Sequence, residues 1–260
     1  MVRPGLSGEA ERIERLQRIL GRERAAGVIV GIGDDAAVLA PGEQTLVWTV
    51  DVQVEHVHFE LAWLSFEELG FRATMAAASD LAAMAASPAG VLASLVLPPG
   101  LDDSALDAMG RGQARACDEL GTSVVGGNLS RGSELSITTT VLGRAPRTVQ
   151  RSGARPGDAV LLSGPVGLAA AGLEICRRAQ QPQTAAEHAA SAAWRQPRAR
   201  IAEGLRLGGA ATAAIDLSDG LACDGARIAR ASEAPGPALA MALNAPDLVS
   251  PELAAVASAL

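Results

Sequence analysis

Apolar side chains run almost unbroken through DAAVLA and TLVWTVDVQV, which read as two strands joined by the Pro-Gly turn at 41–42. Asp51 interrupts the second run. Upstream, Ile13, Leu16, Ile19 and Leu20 return on one face and predict a helix over 9–25. Downstream, SFEELGFRATMAAASDLAAMAAS predicts a helix that starts near Ser65, carries Glu68 as the second half of a capping box, and is ended by Pro88. GVLASLVLPPG reads as a strand, and DDSALDAMGRGQARACDELG as a helix stopped by Gly121. SVV, followed by a close-approach turn at GGN, and ELSITTTVLG read as two more strands.

The texture changes at RAPRTVQRSGARPGD, rich in Arg, Pro and Gly, which marks a boundary between lobes at 1–145 and 146–260. Beyond it, AVLLSG reads as a strand and VGLAAAGLEICRRAQ as a helix. QPQTAAEHAASAAWRQP reads as an Ala-rich polar connection, 198–207 as a helix, ATAAIDLSDG as a strand and turn, and LACDGARIARAS as a helix. Strands alternating with helices predict an α/β architecture in two lobes.

Composition narrows the chemistry. Of 260 residues, 48% are hydrophobic and only 2% aromatic, so a core must be built from Ala, Val, Leu and Ile. All 22 basic residues are Arg, which excludes a P-loop, a protein-kinase lysine and a Schiff base. A net charge of −7 with no basic run argues against nucleic acid as a partner. Cys117, Cys176 and Cys223 form no CxxC pair and are odd in number, which predicts a reducing cytoplasm. The N-terminus has no signal-peptide h-region, and no run of 18 apolar residues predicts a membrane span.

Four places set aspartates against apolar or small-residue runs: GIGDDAA (Asp34, Asp35), WTVDVQV (Asp51), AASDLAAM (Asp80) and AIDLSDGL (Asp216, Asp219). A helix cap is the ordinary use of such residues and fits Asp80 and Asp219 as well as any ligand role. Several carboxylates with no lysine also suit Mg²⁺, which takes oxygen ligands and bridges to substrate phosphates. Such ions supply the positive charge that a lysine brings to a triphosphate elsewhere. Arg151, ahead of a glycine turn in RSGARPGD, suits a phosphate. His56 and His58 fall two apart on one strand face, where a single substrate contact by His58 is favoured over a zinc pair that lacks an obvious third ligand, with an ordinary half-buried histidine as the other reading.

The order GIGDDAAVL, TVDVQVEHVHF, SDLAAMAASP, GGN, RSGARPGD, GLAAAGL and IDLSDGLACD resembles the thiamine-monophosphate kinase family, within the superfamily of aminoimidazole ribonucleotide synthetase. The resemblance runs from about residue 30 to 235. It implies a two-lobed fold whose N-terminal lobe carries a mixed sheet that pairs in a homodimer. It also implies direct, in-line transfer from ATP to thiamine phosphate with several Mg²⁺ ions. Carried over by motif, Asp35, Thr49, Asp51, Asp80, Asn128, Asp216 and Asp219 are expected metal ligands. Gly127 and Asn128 are expected at the phosphates, Arg151 and Ser218 on ATP, and His58 on thiamine phosphate.

Three departures accompany the resemblance. Asn128 stands where the family has Asp, Val50 and His56 stand where it has Thr and Gly, and the sequence stops before a GGEDYELL-like substrate segment. The last implies either a truncated C-terminal lobe or a thiamine pocket open on one side. Another ATP-dependent kinase or synthetase of the superfamily, or a degenerate nucleotide-binding protein, are the alternative expectations.

Overall fold

The computed structural model describes residues 28–30, 34, 36–39, 45–233, 239–244 and 248–259. The helix expected over 9–25, the turn at 41–42 and Asp35 lie outside the described residues.

Six strands form one sheet in the order β1-β2-β3-β6-β4-β5. They are β1 (Val28–Val30), β2 (Ala37–Leu39), β3 (Leu46–Val54), β4 (Ser87–Leu97), β5 (Val124–Arg131) and β6 (Ser136–Arg144). All neighbours are antiparallel except β4 and β5, so the sheet is mixed. β1 was not apparent from sequence pattern. Helix α1 (Phe66–Ala83) begins at the expected capping box, with Ser65 and Glu68 bonded reciprocally. It ends at Ala83 and not at Pro88, because Ala85 takes a positive φ of 55° and β4 already begins at Ser87. Helix α2 (Asp103–Leu120) is capped by Asp102 and stopped by left-handed Gly121, as expected.

α1 and α2 cover one sheet face. There Val38, Val47, Leu81, Met84, Val91 and Val141 form one buried cluster, and Phe59, Leu69, Leu95, Met109, Leu135 and Ile137 another. Each large aliphatic so buried contributes about 1.5–3 kcal/mol. The two helices cross at glycines. A Cβ on Gly112 would stand 1.9 Å from the Glu67 carbonyl oxygen, and one on Gly70 2.1 Å from that of Met109. The other sheet face bears exposed Trp48, Val50, Val52 and Leu92.

Among the described residues, the elements after β6 are the helices α3 (Leu168–Arg177), α4 (Ala185–Arg195), α5 (Ile201–Leu207), α6 (Leu221–Ser232) and α7 (Pro251–Ala259). The Ala-rich stretch read as a connection is helix α4, capped by a Thr184–Glu187 box. AVLLSG and ATAAIDLS form no strand among the described residues; an apolar run becomes a strand only where a partner supplies its ladder. No described helix is long and apolar enough to cross a membrane.

Candidate functional site

Alternation along β3 turns Thr49, Asp51 and Gln53 towards the helices, and Trp48, Val50 and Val52 to the open face. The buried Thr49 hydroxyl donates to the Asp80 carboxylate. Asp80 lies in the last turn of α1, which Ser65 caps, so capping is not its role. Arg72, about two turns before Asp80 on the same helix, donates from Nε to Gln53 Oε1 at 3.2 Å. Its guanidinium stacks 4.7 Å from the Trp194 ring and donates to the Trp194 carbonyl. Burial pulls the Arg72 pKa down, and the charge of Asp51 pushes it back up. Arg72 is thus the cation beside Asp51, a role that residue counting without a fold does not reveal.

The register sets Thr139 of β6 directly beside Asp51 on the same face. Its hydroxyl is fully buried and has no hydrogen-bond partner among the described residues. Thr49, Asp51, Asp80 and this orphaned oxygen are all hard donors, the chemistry that Mg²⁺ selects. Among the described residues no group of three or more His, Cys, Asp and Glu side chains is close enough to hold a metal ion. Any such set must therefore draw on hydroxyls such as Thr49, or on acids beyond that description such as Asp35.

A second group of motifs converges at the far end. Both carboxylate oxygens of Asp34 accept from the Arg151 backbone N–H, at 3.3 and 3.4 Å. Ser232, at the end of α6, accepts from the N–H groups of Gly153 and Ala154 at 3.1 and 3.0 Å. The Ala214 N–H donates to the Gln150 carbonyl at 2.9 Å, which lays the approach to Asp216 alongside this loop. Asp34, RSGARPGD and the approach to IDLSDG are therefore neighbours in space, although far apart in sequence.

The SDG turn is held from within. Asp224 is fully buried, and its Oδ2 accepts the N–H groups of Ser218, Asp219 and Gly220, each at 3.0 Å. Its Oδ1 accepts from Arg227 at 2.6 Å, and Arg227 also donates to Asp219. The N-cap of α6 is Gly220, so Asp219 is not a cap either. Asp224 and Arg227 hold this turn in place, and sequence reasoning missed both. The signal was a lone acid inside an otherwise apolar helix start, LACDG.

Two expectations are corrected. His56 and His58 are not paired on a strand: β3 ends at Val54, and both lie in the turn that follows. His56 takes φ 65° and bonds Glu60 at 2.8 Å, while His58 Nδ1 accepts the Val54 N–H at 3.1 Å, so the two rings do not converge on a zinc ion. Gly126, Gly127 and Asn128 form no turn but lie inside β5, where pairing with β4 overrides glycine's weak strand preference. The register aligns Asn128 with Ser94, Thr138 and Val52, on the open face. Asn128 thus stands three strand spacings, about 14 Å, from the Asp51 strand and on the opposite face. Within one chain it shares no ligand shell with Thr49 and Asp51.

The family model for AIR synthase related protein, N-terminal domain, matches residues 33–145, from β2 to β6. The thiamine-monophosphate kinase of Halobacterium salinarum is 35% identical, over 81% of this chain and 69% of its own length. That of Aquifex aeolicus is 35% identical over 77% of this chain and 65% of its own. The solved structure of AaThiL complexed with AMPPCP and TMP superposes with a TM-score of 0.81 at 33% identity, covering 89% of this chain and 72% of that one. The chain belongs to the thiamine-monophosphate kinase family. It spans about two thirds of the length of the curated thiamine-monophosphate kinases it matches. The segment shared with AIR synthases contains Thr49, Asp51, Asp80, Gly127 and Asn128. The Asp216–Asp219 turn lies beyond it.

Proposed function

We propose that this chain phosphorylates thiamine phosphate to thiamine diphosphate, using ATP and Mg²⁺. The observation that carries the reading is the oxygen set gathered on one sheet face: the Thr49 hydroxyl on the Asp80 carboxylate, with Asp51 two residues along. Likeness to a kinase bound to AMPPCP and TMP supports it. Asp35, Thr49, Asp51, Asp80, Asp216 and Asp219 would hold Mg²⁺, whose positive charge neutralises a triphosphate in a chain without lysine.

The protein's own groups bind and orient. Arg72 holds Gln53 and balances the charge of Asp51. Arg151 and Ser218 contact ATP from the loops that meet at α6. The Val54 N–H donates to His58 Nδ1, so the neutral ring carries its proton on Nε2, ready to donate to the phosphate of thiamine phosphate. The exposed apolar row Trp48, Val50, Val52 and Leu92 supports a homodimer in which a second copy covers that face. Asn128, exposed on it, and the adjoining Gly127 backbone would then meet the nucleotide of the partner copy. Lobes spanning 1–145 and 146–260 and a cytoplasmic location complete the proposal; free thiols at Cys117, Cys176 and Cys223 suit a reducing compartment.

The test is thiamine diphosphate formation from thiamine phosphate, ATP and Mg²⁺, with Asp51→Asn expected to lower kcat/KM about 10²-fold, as loss of a metal-site partner does. No product from protein shown to bind ATP would overturn the kinase reading. Turnover of a different acceptor would favour another ATP-dependent enzyme of the superfamily. Val50→Asp should convert the dimer to monomers in sedimentation; an unchanged mass would remove the shared face.

A further inference from the structure

Arg227 is gripped by two carboxylates whose situations differ. At one end Asp224 is completely buried, with Oδ2 occupied by three backbone N–H groups and Oδ1 by the guanidinium at 2.6 Å. At the other end half of the Asp219 side chain reaches solvent. Opening the buried end would strand a desolvated carboxylate, whereas an exposed pair opens at little cost. When a competing cation arrives, Asp219 is therefore the partner that lets go. Arg227 keeps its hold on Asp224, and the SDG turn keeps its shape while the Asp219 side chain turns away.

We infer that Arg227 is a resident counter-cation for Asp219, which a divalent cation must displace before Asp219 can serve as its ligand. The inference rests on the metal role proposed above for Asp219. Without ligand, Arg227 spares two neighbouring carboxylates, one of them fully buried, from facing each other uncompensated. With ligand, one salt bridge is exchanged for a metal bond and no residue need move between elements. The arrangement makes cation binding at this turn a substitution and lowers its apparent affinity in the free protein.

The experiment is Mn²⁺ binding to the nucleotide-free full chain, followed by electron paramagnetic resonance. Asp219→Asn should weaken binding. Arg227→Gln, which keeps an amide donor for Asp224 but removes the charge, should tighten it about fivefold, the scale of one exposed ion pair. Unchanged or weaker binding by Arg227→Gln, alongside weakened binding by Asp219→Asn, would overturn the inference and leave the metal reading standing. Unchanged binding by Asp219→Asn would remove the metal role of Asp219 and the inference with it. Should Arg227→Gln lose helix α6, the wild type still decides. The side-chain N–H resonance of Arg227 should shift on Mg²⁺ addition, and an unmoved resonance overturns the inference.

Discussion

Residues 45–149 are bound by a common interior: β3, β4 and β6 and the two covering helices all give apolar side chains to it. The described helices after Arg144 share far less. Ile175, Ala190 and Val256 make one small cluster, while Trp194 and Cys176 pack into the interior of the first region. α5 buries no side chain, and α6 buries only Asp224 and Gly225. What holds the loops of this second region is polar: Asp34 on Arg151, Ser232 on residues 153–154, and Asp224 on the SDG turn. Apolar packing is indifferent to ions, whereas these bonds can be exchanged for bonds to a ligand. Asp219, whose partner Arg227 is exposed and exchangeable, thus belongs to a part of the molecule held by polar bonds and not by apolar packing, whereas Asp51 and Asp80 are set in the packed region.

The contrast is sharpest at Asp224. Asp224→Asn cannot satisfy three N–H donors and Arg227 together, and should cost about 3 kcal/mol, as loss of one partner from a buried pair does. Hydrogen exchange should then speed in α6 and residues 216–220 while β3, β4 and β6 keep their protection. Equal loss in the sheet would show that the two regions melt as one unit. In the packed region, Gly112→Ala must push the Glu67 carbonyl aside and should cost about 2 kcal/mol, lowering the whole melting transition. Two residues away, a Cβ on Gly110 meets nothing within 4 Å, so Gly110→Ala should gain about 0.5–1 kcal/mol through helix propensity alone. If both alanines acted alike in denaturant titration, the close helix crossing would not be limiting.

The smallest effect is one of pH. Hydrogen bonding to Glu60, opposed by some burial and aided by the charges of Glu60, Glu55 and Glu134, raises the pKa of His56 above 6.5. A raised value means the bond stabilises the turn fully below pH 6.5 and is lost as pH climbs through the folded value. The difference in melting temperature between wild type and Glu60→Gln should therefore be largest in mild acid and vanish in mild alkali. A difference that grew with pH would contradict the pairing.

Much of the packed region could be read from residues alone. Ser65 and Glu68 announced α1, Gly121 closed α2, and the interrupted run around Asp51 was a strand. Local pattern sufficed because these elements carry their own caps and periods. It failed where a distant partner decides. AVLLSG has a strand's composition and no ladder, GGN has a turn's composition and lies in one, and α4 hid its Thr184–Glu187 box under an alanine-rich surface. The acids of the candidate site were named from motifs, yet Arg72, Asp224 and Arg227 were not. Arg72 acts through Gln53 and Trp194, which only the fold brings near, and Asp224 and Arg227 act within a local turn whose motif was not recognised.

The place of β6 in the sheet has a bearing on how the chain is made. It lies between β3 and β4, which precede it, and bonds such as Thr140 to Thr49 span 91 positions. A nascent chain that has emerged only as far as β5 therefore holds two open strand edges with nothing yet to join them. At roughly 5–20 residues per second, that interval lasts on the order of a second or more. Through it, β2 and the helical pair α1–α2 shelter Val47 and Val91, while the facing edges of β3 and β4 stay open to other strands.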